Sequence, residues 1–307
     1  MKPQGTWSQR LALLLLTLMS LGPLLSASCS SKSGNATTPS LMIENNSKAT
    51  TLPPAPPFAR PGERMVFRIA LQHVEVAAFN IAVGEVVELD GKKALVVQAG
   101  AQSIGLASLV SKVDDQFASW VDISNGRPLL FRSHEGEGNG GSDGVEDADT
   151  QFFKRTATLV PVVIKGKAIG EKSETQLLGD AELWDMNSFF LVLRGWQGDV
   201  GSKITSDVVR SRFAWRTKIE LVGKDTQVTA LGKFPTLRFN GVARKLERDG
   251  KEVLGDDRNF SLWITDDADR VPVVIVAKTD YGDVRMEIVE YAPGNGARFA
   301  DGALAGE

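Results

Sequence analysis

Cysteine occurs once, at position 29, and histidine twice, at His73 and His134, about sixty positions apart. A lone thiol forms no internal disulfide, so the fold is not stapled. The histidines stand in no HxxxH spacing, and there is no CxxC pair. A zinc centre or a nucleophile–histidine triad therefore has no support, and no cofactor is expected. Basic residues are not in excess: 35 Lys and Arg stand against 38 Asp and Glu, a formal charge of −3. That balance excludes the basic footprint needed for nucleic acid. Long apolar runs are missing as well. The one candidate, LALLLLTLMSLGPLL, is broken by Gly22 and Pro23 and is too short to span a bilayer, and none follows it.

Helical periodicity is confined to Asp180–Trp196, where Leu183, Trp184, Asn187, Phe190, Leu191 and Arg194 recur at spacings of three and four before Gly195 and Gly198. Elsewhere the chain alternates with period two. Met65, Phe67, Ile69 and Leu71 lie opposite Arg64 and Arg68, and Phe213, Trp215, Thr217, Ile219 and Leu221 lie opposite Arg212, Arg216, Lys218 and Glu220. Asp90-Gly91, Asn125-Gly126, Lys165-Gly166-Lys167, Gly223-Lys224-Asp225 and Asp249-Gly250 are expected turns. Phe260–Tyr291 carries three strand signals joined by two aspartate-rich turns, and its middle strand, Val271–Ala277, is apolar enough to be covered on both faces. The expected fold is mainly β: an antiparallel meander curled into a half-open barrel or sandwich with one packed helix.

The N-terminus has the layout of an export signal: Lys2 and Arg10, the short apolar run, then Ser26-Ala27-Ser28. LLSASC resembles a bacterial lipoprotein signal in which Cys29 becomes the lipidated first residue, with Ser26 where such signals usually carry leucine. That resemblance implies an outer-membrane lipoprotein facing the periplasm; without lipidation the product is soluble and periplasmic. The expected layout is a signal peptide over 1–28, a Ser-, Thr-, Asn- and Pro-rich tether over 29–60, one all-β domain over 61–292, and a fraying tail over 293–307. Ser133–Thr150, dominated by glycine and acids, is expected to be a long loop. Its Asp143, Glu146, Asp147 and Asp149 are calcium-type donors without the DxDxDG register.

Two sets of residues are candidates for function. Trp184, Phe190, Trp215 and Trp263 would line an apolar cavity for an amphiphile if the sheet curls, or else simply form the core. Asp266, Asp267 and Asp269, followed by Arg270, offer a carboxylate cluster for hydrolysis of an envelope polymer or glycan, or else simply form the turn. His73 is expected to be a turn or edge residue, and His134 to open the acidic loop.

Four blocks carry a family resemblance: PGERMVFRIALQHVEVAAFNIAV, WDMNSFFLVLRGW, GKFPTLRFNGVAR and WITDDADRVPVVIVAKTDYGDVRMEI. Together they resemble the DUF3108 family of exported bacterial proteins, a domain of unknown function, over Pro61 to about Tyr291. The Asp-Arg-Val-Pro turn is the most specific piece, and the helix ending in Arg194 is the next. The resemblance implies export and a mostly antiparallel β domain, and it carries over no site residues. The expected role is that of an envelope protein of binding or structural type. Its expected partners are a membrane through the lipid anchor and an amphiphile or another envelope protein, with hydrolysis as the alternative.

Overall fold

The computed structural model describes residues 50–110, 113–136, 146–166, 169–179, 181–279 and 282–301. The signal peptide, Cys29, the tether up to residue 49, the Asp180 start of the expected helix, Asp143, Lys167, Asp280 and residues 302–307 lie outside that set.

The described strands form one fifteen-stranded sheet that does not close on itself. The first eight are β1 (Glu63–Leu71), β2 (Val74–Leu89), β3 (Lys92–Ser103), β4 (Asp114–Asp122), β5 (Pro128–Gly136), β6 (Glu146–Thr150), β7 (Leu159–Gly166) and β8 (Gly170–Leu177). The other seven are β9 (Leu183–Asp185), β10 (Lys203–Arg210), β11 (Phe213–Thr229), β12 (Gly232–Leu246), β13 (Glu252–Thr265), β14 (Pro272–Thr279) and β15 (Gly282–Pro293). Apart from β8 and β9, each strand pairs with its neighbours in sequence, and β15 returns to pair with β1, so β8 and β9 are the two edges. Neighbours are antiparallel except β9 and β10. Short turns impose this meander. Asp90 and Gly91 both have positive φ, as do Gln72 and His73, the geometry of two-residue hairpin turns.

Alternation sets what is buried. On β1, Glu63, Met65, Phe67 and Ile69 point inward while Arg64 and Arg68 are exposed. The inward side chains of β1–β5, β14 and β15 form one large apolar cluster, and Leu52, Trp184, Phe189, Ile219, Phe239, Leu262 and Ile264 form a second. Helix α1 (Ala107–Val110) is a single turn between β3 and β4. Helix α2 (Met186–Gly195) joins the two clusters, giving Leu191 to the first and Phe189, Val192 and Leu193 to the second.

Several expectations are corrected. The helix does not include Leu183–Asp185, which form β9 against Asp207–Val209. Asp185 accepts hydrogen bonds from the Asn187 and Ser188 amides at 2.8 Å each, so it is the cap that starts the helix. Gly223-Lys224-Asp225 is no turn: β11 continues through a bulge after Leu221, bends at Gly223, where φ is 151°, and reverses only at Ala230-Leu231. The bent hairpin folds back over its neighbours, where Trp263 Nε1 donates to Asp225 Oδ2 at 2.8 Å and the Ala230 amide donates to Glu287 at 3.1 Å. Ser133–Gly136 and Glu146–Thr150 are paired strands, β5 and β6, because their alternate residues face inward, and residues 137–145 lie outside the described set. Lys165-Gly166 likewise belongs to β7.

The two chain ends are bound further out than expected. Thr50 forms a bridge to Ile204, Leu52 is buried, and the Phe58 amide donates to the Leu191 carbonyl at 3.3 Å. The Asn295 and Phe299 amides donate to the Pro61 and Ala59 carbonyls at 2.9 and 3.2 Å, and Phe299 is buried. Residues 50–60, expected as part of the tether, are therefore packed against the sheet, and the C-terminal segment is packed as far as Asp301.

Candidate functional site

The gap between β8 and β9 leaves two sheet edges with no backbone ladder between them. Its chemistry is carried by β4, β5, β6 and β8 on one side and by the β10–β11 and β12–β13 turns on the other. Asp115, Glu135 and Glu146 are directly opposed in register across β4, β5 and β6. They belong to the inward face that also carries Phe117, Ser119 and Val121 on β4 and Phe131 and Ser133 on β5. Like charges in directly opposed cross-strand positions repel, so the row needs compensation.

Compensation comes across the gap. Arg212 meets Glu146 at 2.9 Å, and Arg248 donates to Glu174 at 2.7 Å. Arg248 also donates to the Arg212 carbonyl at 2.6 Å, and the Leu177 amide of the β8 edge donates to the Arg248 carbonyl at 2.9 Å. Gln176 Nε2 donates to the Glu247 carbonyl at 3.0 Å. The sheet is thus joined by backbone pairing at β1–β15, and at the other side by a seam of acids from the first half and arginines from the second.

The seam is not evenly balanced. Asp115 and Glu135 are 1 % and 3 % exposed, and none of their four carboxylate oxygens has a hydrogen-bond partner. The Gly136 amide and the Ser211 hydroxyl lie near enough to lower their pKa values somewhat, but outside hydrogen-bond geometry. Burial, reinforced by the charge of Glu135 and opposed by Arg210, pushes Asp115 up to about 7. Burial also raises Glu135 against the pull of Arg210, and raises Glu146 against that of Arg212. Glu174 moves the other way: burial opposes it, but hydrogen bonds from Lys172 and Arg248 leave it below the usual carboxylate range.

A second charged region lies at the C-terminal end of α2. Arg194, 1 % exposed, donates to both Glu63 oxygens at 2.7 and 3.2 Å and to the Asp269 and Arg270 carbonyls at 2.9 and 3.0 Å. Arg270 returns the contact, donating to the Arg194 and Trp196 carbonyls at 2.7 Å each, which caps the helix. Tyr291 donates to Glu63 at 3.2 Å, and its own pKa is raised by burial and by the charge of Glu63. The two most recognisable sequence blocks, LRGW and DRVP, thus meet and lock each other.

The acids expected as a carboxylate cluster are divided among separate partners beside this clasp. Asp266 pairs with Lys224 at 2.7 Å. Asp267 Oδ1 accepts from Thr265 and from the Asp269 and Arg270 amides, closing the turn. Asp269 accepts from Arg298 at 2.6 Å and lies 3.6 Å from Arg60.

The four expected lining aromatics are not gathered into one cluster either. Trp184 is fully buried in the second apolar cluster, with Arg127 over its ring at 5.8 Å. Trp263 and Phe190 belong to the first, and Trp215 is buried apart from both. His73 occupies the β1–β2 turn, and His134 pairs with Asp147 at 2.6 Å on β5. Among the described residues no group of His, Cys, Asp and Glu is arranged to hold a metal ion, and no helix is long and apolar enough to cross a membrane.

Asp115 and Glu135 are not among the residues expected from the sequence, because its acids and glycines give the stretch that holds Glu135 the composition of a loop. The available signal was the apolar alternation of β4 and β5, which places an acid inward once it is carried past its apolar end.

These features define an open, single-sheet, barrel-like β protein closed by side-chain charge. The chain belongs to the family described as a protein of unknown function, DUF3108, whose profile matches residues 66–289. No curated protein matches it. Among solved structures it is similar to a beta-barrel-like protein of the DUF1849 domain of unknown function from Brucella abortus, with TM-score 0.49 and 9% identity, covering 77% of this chain and 100% of that one. It is also similar to a Bacteroides fragilis protein provisionally described as exported, with a YmcC-like fold, at TM-score 0.36 and 8% identity, covering 78% and 99%. A third is a Parabacteroides distasonis protein provisionally described as a lipoprotein, at TM-score 0.31 and 8% identity, covering 78% and 99%.

Proposed function

We propose that this is an exported, lipid-anchored envelope protein that faces the periplasm and acts by binding an amphiphile. The observation that carries the binding reading is the seam. A sheet wrapped around a large apolar interior is held along one side by ion pairs and a few hydrogen bonds instead of a strand ladder. Such a closure separates at far lower cost than a β ladder, and what it uncovers is apolar. Export is supported by Lys2, Arg10, the apolar run and Ser26-Ala27-Ser28, and anchoring by the position of Cys29. The arrangement of Asp266, Asp267 and Asp269, each held by a different structural partner, favours a turn-forming role over hydrolysis.

Two experiments test the reading. Intact mass of the mature wild type should exceed that of Cys29→Ala by the acyl and glyceryl groups of a lipoprotein; equal acylation states would remove the anchor. The soluble domain should take up a fluorescent fatty-acid analogue, with quenching of the domain's tryptophan emission, and should fail to take it up when the seam is cross-linked shut beforehand. An unchanged emission spectrum at saturating analogue would exclude amphiphile binding.

A further inference from the structure

Charges along the seam can be matched one by one. Glu146 is matched by Arg212 and Glu174 by Arg248. The remaining acids, Asp115 and Glu135, are opposed in register on β4 and β5, and one cation, Arg210, acts on both. Opposed residues of an antiparallel pair hold their Cβ atoms about 5 Å apart, within carboxyl-to-carboxyl reach. Arg212 also acts on Glu135 but is paired with Glu146, so three acids face two guanidiniums and one negative charge is left in excess. Of the ways to remove it, taking up a proton is the least costly. A carboxylic acid beside a carboxylate also supplies the missing donor, since its O–H can point at the neighbouring oxygen.

We infer that Asp115 and Glu135 hold one proton between them, and that this proton locks the seam by fastening β4 and β5 to the β10–β11 turn. The surroundings are those of a two-state element. Asp115 faces Glu135, Arg210 and its neighbour Asp114, which is itself held by Gln102 on β3. Glu135 faces Arg210, Ser211, Arg212 and Glu146, and Glu146 in turn faces Glu174 and Arg248. Arg210 also lies over the Phe117 ring at 5.7 Å, so the turn is seated on the apolar face of β4. Loss of the proton turns an attractive O–H···O contact into repulsion between opposed strands. The repulsion falls where the two halves of the sheet meet without a ladder. The inference concerns the lock and holds whether or not an amphiphile passes through it.

The test is infrared difference spectroscopy of the mature chain between about pH 6 and about pH 9, bracketing the Asp115 value of about 7. Asp185, raised to about 6, contributes a band of its own, so the readout is the wild-type spectrum minus that of each variant. That difference should contain the carbonyl stretch of one protonated carboxyl that disappears at the upper pH, for Asp115→Asn and for Glu135→Gln alike, because one carboxylate then remains beside Arg210. A wild type without any protonated-carboxyl band at the lower pH overturns the inference, and this holds even if a variant fails to fold. A Glu135→Gln spectrum identical with that of wild type overturns the sharing. Amide exchange of residues 131–136 and 210–216, corrected for intrinsic base catalysis, should rise about tenfold or more across the same interval in wild type. It should stay flat in Asp115→Asn. A flat wild-type profile overturns the lock.

Discussion

The clasp at the end of α2 and the seam between β8 and β9 use the same materials, arginines and carboxylates buried between sheet segments, and differ in stoichiometry. In the clasp Arg194 gives its hydrogen bonds to Glu63 and to the Asp269 and Arg270 carbonyls, and Glu63 also receives Tyr291. In the seam, Asp115 and Glu135 share Arg210, Arg212 acts on Glu135 only beside its own pair with Glu146, and none of the four oxygens of Asp115 and Glu135 has a hydrogen-bond donor. A buried charge that is fully matched gives rigidity, because any movement exposes an unpaired ion. A buried charge in excess gives a titratable joint, because the proton that neutralises it comes and goes with pH. Location follows the same division: the matched set ties β1 and β15 to the helix, whereas the unmatched set lies where the sheet is open.

Removing a member of the matched set should break the comparison most forcefully. Arg194→Met strands Glu63 and two carbonyls, and should lower unfolding free energy by about 3–5 kcal/mol in urea titration at any pH from about 6 to 9. A loss that varied strongly over that interval would mean that the clasp, too, titrates.

The seam should behave in the opposite sense. Asp115 has its pKa raised from 3.8 to about 7, so between those values the folded chain holds more protons than the unfolded one. Stability therefore falls as pH rises through that window and levels off above about 7. Asp115→Asn should remove this slope. Relative to wild type the variant should gain above pH 7, by at most about 4 kcal/mol and in practice by a fraction of that. Parallel wild-type and variant curves of midpoint against pH would refute the asymmetry.

Asp185 is a control between the two. It is fully buried and raised to about 6 by burial, yet Ser119 and the Asn187 and Ser188 amides donate to it. Asp185→Ala should cost about 1–2 kcal/mol through loss of the cap, read as a lowered thermal midpoint and faster exchange in residues 186–190. The smallest effect is expected from an ion pair in water: Arg64 and Glu290 meet at 2.9 Å with both side chains 53% exposed. Arg64→Ala should change stability by no more than about 0.5 kcal/mol. A larger loss would mean that exposure is not what separates strong from weak pairs here.

Much of the architecture was legible beforehand, for local reasons. Period-two alternation from Met65 to Leu71 and from Phe213 to Leu221, and turns such as Asp90-Gly91, state both strand and reversal within a few residues. Helix α2 was legible to within one residue at its end and six at its start, where pairing of Leu183–Asp185 with β10 outweighed helical spacing. The strands of Ser133–Thr150 were hidden because acids and glycines carry loop composition while Glu135 and Glu146 in fact face inward. The bend at Gly223 read as a turn because one glycine serves either, and only the long β12 partner distinguishes them.

The sequence by itself determined the strand meander, the long helix α2 and the signal-like N-terminus, since each is written in neighbouring residues. Only the tertiary structure decided which charges meet. Asp115 and Glu135 become opposed through cross-strand register, and Arg210, Arg212 and Arg248 reach the first half of the sheet only when it curls. Register and curl are settled by packing over the whole core. The excess carboxyl at the seam is therefore a property of the fold that no short stretch of chain contains.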